Sequence, residues 1–189
     1  MARRRGLDHD DVVATALAIV DRDGLGALSL RAVADALEVQ PPALYSHVDG
    51  LTGLLDDCSV AATAEFGEVL RDSVIGVAGE DAIRAFATAY RRWARSHPGR
   101  YELSLRPVAG AEKRNVGRSA IATMDTLLAG LGFVGGPATH AGRSLRAALH
   151  GFATLEIADA LGRGDHDASF DELVALLLDG LRSRAATAI

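Results

Sequence analysis

Two short segments of the chain carry hydroxyl, guanidinium, phenol and imidazole groups at spacings suited to a polyanion. Ser29 is a good helix N-cap, where its hydroxyl and the first helix amides can meet a phosphate. Arg31 follows in the same helix, where its guanidinium can reach a phosphate or a guanine edge. Around an apolar Leu44, the second segment leaves five residues to face outward: Gln40, Pro41, Ala43, Tyr45 and His47. The pattern predicts contacts to a nucleic-acid backbone and to base edges.

These side chains need two short helices joined by a turn. The spacing predicts one helix over residues 29–37 and, after a three-residue turn, a second over 42–48 that opens with a proline. In a helix-turn-helix the second helix enters the major groove and the first crosses the backbone. The second helix is too short to be stable alone, so we expect Leu44 to anchor it. Residues 7–55 are therefore predicted to contain a helix-turn-helix, the alternative being an ordinary segment of a helical bundle.

The rest of the chain is also helical in pattern. Hydrophobic residues make up 49% of the chain and aromatic residues only 5%, a composition that favours helix packing over strands. We predict an all-α fold with a DNA-binding domain over residues 1–50 and a second helical domain over 51–189. The nine predicted helices cover residues 8–23, 29–37, 42–48, 51–75, 80–96, 98–105, 111–131, 138–162 and 169–186.

The charge balance limits how the chain could bind DNA. The formal net charge is -5, and residues 1–50 hold five arginines against eight acids, a local net charge of −3. A protein that coats DNA non-specifically would be basic, so any contact must be local and geometric. A basic arm, Arg3, Arg4 and Arg5, either enters the minor groove or is a tail with no role.

The residues give little support for a disulfide-bonded, secreted, membrane, metal-binding or enzymatic protein. The single cysteine, Cys58, excludes an intrachain disulfide, and neither a signal peptide nor an apolar run of membrane-spanning length is present. We therefore expect a soluble cytoplasmic protein that has no membrane partner. His166 lies between two aspartates, but three adjacent residues cannot close a metal shell, so we expect no metal and no cofactor. No nucleophile–base pair is readable, which argues against an enzyme.

The helix-turn-helix segment resembles a known family. The run over residues 28–37, then Val39, then the run over 43–48 and the pair Leu54–Leu55 are similar to the DNA-binding domain of TetR-type repressors, over about 49 residues. The resemblance implies that Tyr45 and His47 touch phosphates and that Arg31 reads a base. Leu51 occupies the place where the family commonly has a phosphate-binding lysine.

The C-terminal part resembles a domain type of some TetR relatives. Residues 145–156 are similar to the type named for a Trp-His-Gly signature, with Arg146 where a tryptophan is common. The resemblance implies that residues 51–189 form a ligand-binding and dimerisation domain. It also implies a homodimer that binds a palindromic operator, acts as a repressor, and is released by a small apolar or aromatic effector. An alternative is a helical small-molecule-binding or interaction protein whose DNA binding has degraded.

Helical spacing supplies candidate residues for both C-terminal roles. The predicted dimer face comprises Leu145, Leu149, Phe152, Leu173, Leu177 and Leu181, unless these residues merely cover their own domain. The predicted effector pocket comprises Phe86, Tyr90, Trp93, Tyr101, Leu105, Met124, Leu128 and His150. Glu156 could add a polar contact to that pocket, and the alternative is a plain aromatic core.

Overall fold

A computed structural model describes residues 7–107 and 111–187, and within those ranges it contains only helices, turns and loops. Eight α-helices and two 3₁₀ helices follow one another, which confirms the predicted all-α fold. The α-helices are α1 His9–Asp23, α2 Leu30–Ala36, α3 Gly50–Asp72, α4 Gly79–Ser96, α5 Pro98–Leu105, α6 Ala111–Gly130, α7 Gly135–Ile157 and α8 His166–Thr187. The 3₁₀ helices are Leu25–Ala27 and Pro41–Ser46.

Helix α1 begins and ends at residues whose chemistry dictates it. The Asp8 carboxylate accepts the amide of Asp11 at 2.8 Å, and the Asp11 carboxylate accepts the amide of Asp8 at 3.3 Å. This reciprocal capping box satisfies two amides that the helix itself leaves unpaired. The helix ends at Gly24, whose φ of 82° suits glycine. Both the start and the stop match the sequence prediction.

The helix predicted over residues 42–48 differs from its prediction in type. Residues Pro41–Ser46 form a 3₁₀ helix, whereas an α-helix over 42–48 was expected. The amide of Ala43 donates to the carbonyl of Gln40 at 2.9 Å, and the amide of His47 donates to the carbonyl of Leu44 at 2.9 Å. Two prolines at the start supply no amides, and the segment is short, so the tighter hydrogen-bonding pattern is adopted.

The described residues group into two compact units. The first comprises those through Glu65 together with those from His97 to Arg114. Its core joins side chains of α1, α2, the second 3₁₀ helix, α3 and α5: Val12, Ala16, Val20, Val33, Leu44, Leu54, Cys58 and Leu103. Helix α5 thus packs with the helix-turn-helix, against α1, although it follows α4 in the sequence. The functional boundary predicted near residue 50 stays a prediction.

The second unit holds residues 66–96 and those from Asn115 onward. Helix α4 packs against α7 and α8, which also pack against each other. Its buried side chains include Ile83, Phe86, Trp93, Leu128, Leu149, Ala153, Phe170 and Leu178. Among the described residues no single helix is long and apolar enough to cross a membrane. One consecutive pair, over 115–130 and 135–157, meets that criterion only when taken together, and it is bent by 116°.

Gly99 sets the approach of α5 to α1 within the first unit. A Cβ atom added there would lie 3.0 Å from the carbonyl oxygen of Val20 and would overlap the Val20 side chain. Since a backbone oxygen cannot swing away, we expect Gly99→Ala to lower the free energy of unfolding by about 1–3 kcal/mol in urea denaturation.

Gly151→Ala in α7 is the matched control. An added Cβ there meets nothing within 4 Å. That substitution should raise the free energy of unfolding by up to about 1 kcal/mol, because alanine favours a helix interior. Equal unfolding midpoints for the two variants would contradict the close packing of α5 on α1.

Candidate functional site

Ser29 caps α2 as predicted, and its hydroxyl proton can still donate to a phosphate. Its hydroxyl oxygen accepts the amide of Ala32 at 3.1 Å. Because the hydroxyl acts as an acceptor in this bond, its O–H can still donate to a phosphate oxygen. The predicted N-cap is confirmed, and the phosphate contact stays a prediction.

Arg31 extends from α2 into solvent. Its side chain is 87% exposed, and its Nε lies 3.7 Å from a carboxylate oxygen of Asp35, one helical turn further on. An exposed pair of this kind contributes little to stability, so a phosphate or a base edge can replace the Asp35 carboxylate. The position fits the predicted role of Arg31 in base reading.

The second 3₁₀ helix is anchored on one side and exposed on the other. Leu44 is fully buried, which confirms the predicted anchor, and Tyr45 beside it is 61% exposed. Gln40 and Ala43 are exposed as well, whereas Pro41 and His47 are half-buried. Gln40, Ala43 and Tyr45 therefore face outward as predicted, Pro41 and His47 do so only in part, and the contacts of all five stay predictions. Arg3, Arg4 and Arg5 lie outside the described residues.

Acidic residues dominate the first unit. Residues 7–65 and 97–107 contain four arginines against twelve acids, a formal net charge of −8 with histidine neutral. Each arginine lies within ion-pair distance of an acid: Arg22–Asp23 at 2.6 Å, Arg31–Asp35 at 3.7 Å, Arg100–Asp21 at 2.6 Å and Arg106–Asp56 at 3.2 Å. Leu51, at the start of α3, is 39% exposed. This net negative charge gives no long-range attraction for DNA, so any affinity for DNA must come from short-range contacts.

Two titratable groups of the first unit have raised pKa values, each for a different reason. His9 Nε2 lies 3.0 Å from a carboxylate oxygen of Asp57, and this hydrogen bond raises the pKa of His9. Burial raises the pKa of the Cys58 thiol to about 12. The thiolate is thereby disfavoured, and Cys58 acts as a small buried residue of the core.

A buried arginine cluster joins three helices of the second unit. Arg91 on α4 is 8% exposed, and its Nε and Nη2 donate to the two Glu156 carboxylate oxygens at 2.8 and 2.6 Å. Its Nη2 also lies 2.7 Å from Asp167, and the guanidinium carbon is 5.3 Å from the Phe152 ring centroid and 4.8 Å from that of Phe170. The hydrogen bond from Arg91 holds the pKa of Glu156 below its usual value.

The Arg91 cluster was not foreseen from the sequence. Glu156 was considered as a polar contact for an effector, but Arg91 already occupies both of its oxygens. A signal was available, because Arg91 lies on the apolar face of α4 with Ala87, Tyr90 and Ala94, all buried. A charge within an apolar stripe indicates a buried partner elsewhere in the chain.

The predicted pocket residues are distributed over both units. In the second unit, Trp93 stacks on Phe66 with ring centroids 4.5 Å apart, and Tyr90 meets Phe66 edge-on at 4.9 Å. Phe86, Met124 and Leu128 are buried there too, and His150 is half-buried. Tyr101, which is buried, and Leu105, which is exposed, belong to the first unit. Sequence reasoning omitted Phe66, and the pocket stays a prediction.

Burial corrects the predicted dimer face. Leu145, Leu149 and Leu181 are buried within the single chain, and the Phe152 ring packs edge-on against Phe170 at 5.2 Å. Leu145, Leu149 and Leu181 therefore belong to the subunit's own core, whereas Phe152 is half-buried. Leu173 and Leu177 are half-buried. The exposed leucines of these helices are Leu155 and Leu176.

His166 belongs to a helix start. Its Nε2 lies 2.9 Å from the carbonyl oxygen of Gly162, while the Asp165 carboxylate accepts the amides of Asp167 and Ala168 at 3.0 Å each. In the described part of the chain, no group of three or more histidine, cysteine and acidic side chains is placed to hold a metal ion.

Comparisons with known proteins agree on one family. The family described as "Tetracyclin repressor-like, C-terminal domain" matches residues 83–177. An uncharacterized HTH-type transcriptional regulator of Mycobacterium tuberculosis is 33% identical over 97% of this chain and 86% of its own length. Another, from Bacillus subtilis, is 32% identical over 86% of each chain.

The fold is that of solved regulators. The Streptomyces coelicolor TetR family protein ActR, in complex with (S)-DNPA, is similar with a TM-score of 0.69. The identity is 22%, and the similarity covers 96% of this chain and 100% of that chain.

The Arg91–Glu156 pair gives a test of the second unit. Glu156→Gln leaves a buried guanidinium without its bidentate partner, so we expect the free energy of unfolding to fall by about 2–3 kcal/mol at pH 7. Glu80→Gln is the matched control, because Glu80 also binds one arginine with both oxygens, yet that partner, Arg182, is exposed. It should change stability little.

The pH profile of the same variant should distinguish charge from packing. Because the folded state lowers the pKa of Glu156, the advantage of the wild type over Glu156→Gln should be full above the unfolded value of 4.5. It should be lost as the pH falls through the folded value. An advantage that stays constant on acidification would show that packing, not the ion pair, causes it.

Proposed function

The chain belongs to the TetR family of transcriptional regulators, and from this we propose that it binds a palindromic DNA operator as a homodimer and is released by a small apolar or aromatic effector. Proteins of this family are not enzymes. The observation that carries the proposal is the second 3₁₀ helix, buried through Leu44 and exposed through Tyr45, beside an exposed Arg31. We propose that this helix enters the major groove.

Operator binding rests on short-range contacts. Arg31 gives up only a weak contact with Asp35 when it meets DNA. Ser29 can donate its hydroxyl proton from the start of α2, and Tyr45 can donate its phenol proton from the second 3₁₀ helix, Pro41–Ser46, which we call the recognition segment. Contacts of this kind to phosphates and base edges fix the register of a reading helix.

A homodimer follows from the geometry of operator reading. Two helices read successive half-sites when they lie about 34–36 Å apart, which two copies related by a twofold axis provide. Helices α7 and α8 expose Leu155 and Leu176, with Leu173 and Leu177 half-buried. We propose that these leucines, rather than the buried Leu145, Leu149 and Leu181, form a four-helix interface with the second copy.

The effector is proposed to bind among the aromatic side chains of the second unit. Phe66, Tyr90 and Trp93 contact one another there and offer apolar faces together with phenol and indole donors. ActR, a protein of similar fold, has been solved in complex with (S)-DNPA. Release requires the effector to prefer the conformation that does not bind DNA. In this proposal the gene is repressed while the protein occupies the operator, and repression ends when the effector releases the protein from DNA.

One observation favours a second candidate function. The four arginines of residues 7–65 and 97–107 all have acidic partners, and Leu51 stands where the family commonly has a lysine. A chain with these features could bind a small molecule while its affinity for DNA has degraded. The two functions differ in whether any duplex is retained at low salt.

Arginine substitutions test operator binding. In a gel-shift titration with DNA from upstream of the protein's own gene, Arg31→Ala should weaken binding about 5- to 100-fold, because a base-reading guanidinium is lost. Arg22→Ala is the matched control, since Arg22 is also an exposed arginine paired with one aspartate. It should change affinity much less.

Two outcomes would contradict the proposal. Equal losses for Arg31→Ala and Arg22→Ala would show a general charge effect without base reading. No retention of any fragment by the wild type at low salt would favour the second candidate function.

A charge placed at the proposed interface tests the homodimer. Leu176 is 61% exposed in the single chain, so Leu176→Asp should leave the subunit fold intact and shift sedimentation equilibrium towards monomer. Ile75→Asp is the control, because Ile75 is 73% exposed but lies between α3 and α4. An unchanged dimer in Leu176→Asp would refute this interface.

A further inference from the structure

The first turn of the recognition segment, residues 41–43, offers no free backbone hydrogen-bond donor. Pro41 and Pro42 have no amide proton, and the amide of Ala43 donates to the carbonyl of Gln40 at 2.9 Å. The Ser46 hydroxyl donates to the carbonyl of Ala43 at 2.8 Å. The donors that a helix start usually presents are therefore missing or already used.

The side chains of this turn are apolar and uncharged. Pro42 and Ala43 are exposed. Between Glu38 and Asp49 the sequence contains no lysine, arginine, aspartate or glutamate. The turn therefore cannot make the bidentate cationic contact that reads the O6 and N7 atoms of guanine, nor accept from the amino group of cytosine through a carboxylate.

Gln40, which is exposed just before this turn, can read adenine through its amide, but the apolar side chains of Pro42 and Ala43 match a different major-groove group. The 5-methyl group of thymine is apolar, and alanine and similar side chains recognise it by contact. We propose that the operator half-site places thymines against Pro42 and Ala43 and that their methyl groups are the feature read by this turn. Guanine reading falls to Arg31 on α2. The inference rests on the proposed operator binding and specifies the base chemistry of that site.

The first step of the test defines the ligand. Full-length protein is used to select duplexes from a random library, and the retained half-sites should contain thymine at one or two fixed positions. Each thymine is then replaced by deoxyuridine, which removes only the 5-methyl group. At the positions under the turn, the loss of one buried methyl should weaken binding about fourfold.

The second step assigns the methyl contact to a residue. Ala43→Gly removes the apolar partner, so this variant should bind the thymine duplex less tightly and should no longer distinguish thymine from deoxyuridine at one position. Ala43→Ser serves if the glycine variant does not fold. Ala18→Gly is the control, since Ala18 is an exposed alanine of α1, and it should keep the full fourfold discrimination.

The outcomes separate the two levels of the proposal. Retained duplexes that lack fixed thymines, or deoxyuridine substitutions without effect, would overturn the methyl readout while operator binding stands. Discrimination that persists at every position in both Ala43 variants would show that Ala43 contacts no thymine methyl group, and would overturn the proposal that Pro42 and Ala43 read these methyl groups together. Failure to retain any duplex in the first step would instead refute the proposed function.

Discussion

The burial of Leu44 is the constraint on which the DNA-facing part of the structure depends. A six-residue 3₁₀ helix is too short to form alone and opens with two prolines, so its conformation must come from packing. Leu44 reaches a core shared with residues of α1, α2, α3 and α5. Because that core fixes one side of the helix, Tyr45 and Ala43 are fixed on the other.

The same core explains why α5 belongs with the helix-turn-helix. Gly99 lets α5 approach Val20 closely, and the Ser59 hydroxyl donates to the carbonyl of Leu103 at 2.7 Å. Arg100 adds ion pairs to Asp21 and Glu65. The proposed reading surface is thus supported by residues distant in sequence, so we expect changes in α5 to alter it through packing.

Much of this architecture could be predicted from local chemistry. The capping aspartates of α1, the Ser29 cap and the proline start of α5 are short-range signals, and the structure confirms each helix they indicate. The choice of a 3₁₀ over an α-helix at Pro41–Ser46 was not predicted, because apolar spacing in six residues does not distinguish them.

Tertiary pairing was the part that the sequence could not supply. Leucines along α7 and α8 repeat at helical spacing on more than one side, so periodicity alone could not tell the subunit's core from an exposed face. The tertiary packing of the second unit distinguishes the two faces, because Leu145 and Leu149 are buried in it and Leu176 is exposed. Arg91 and Glu156 lie on different helices, and only the fold brings their charges together.

The central claim is that a pair of these segments reads two half-sites of one duplex. Hydroxyl-radical footprinting of full-length protein on a selected duplex tests it most directly. The account predicts two protected regions on one face of the DNA, with centres about 34–36 Å, or one helical turn, apart. A single protected region, or uniform protection along the fragment, would contradict it.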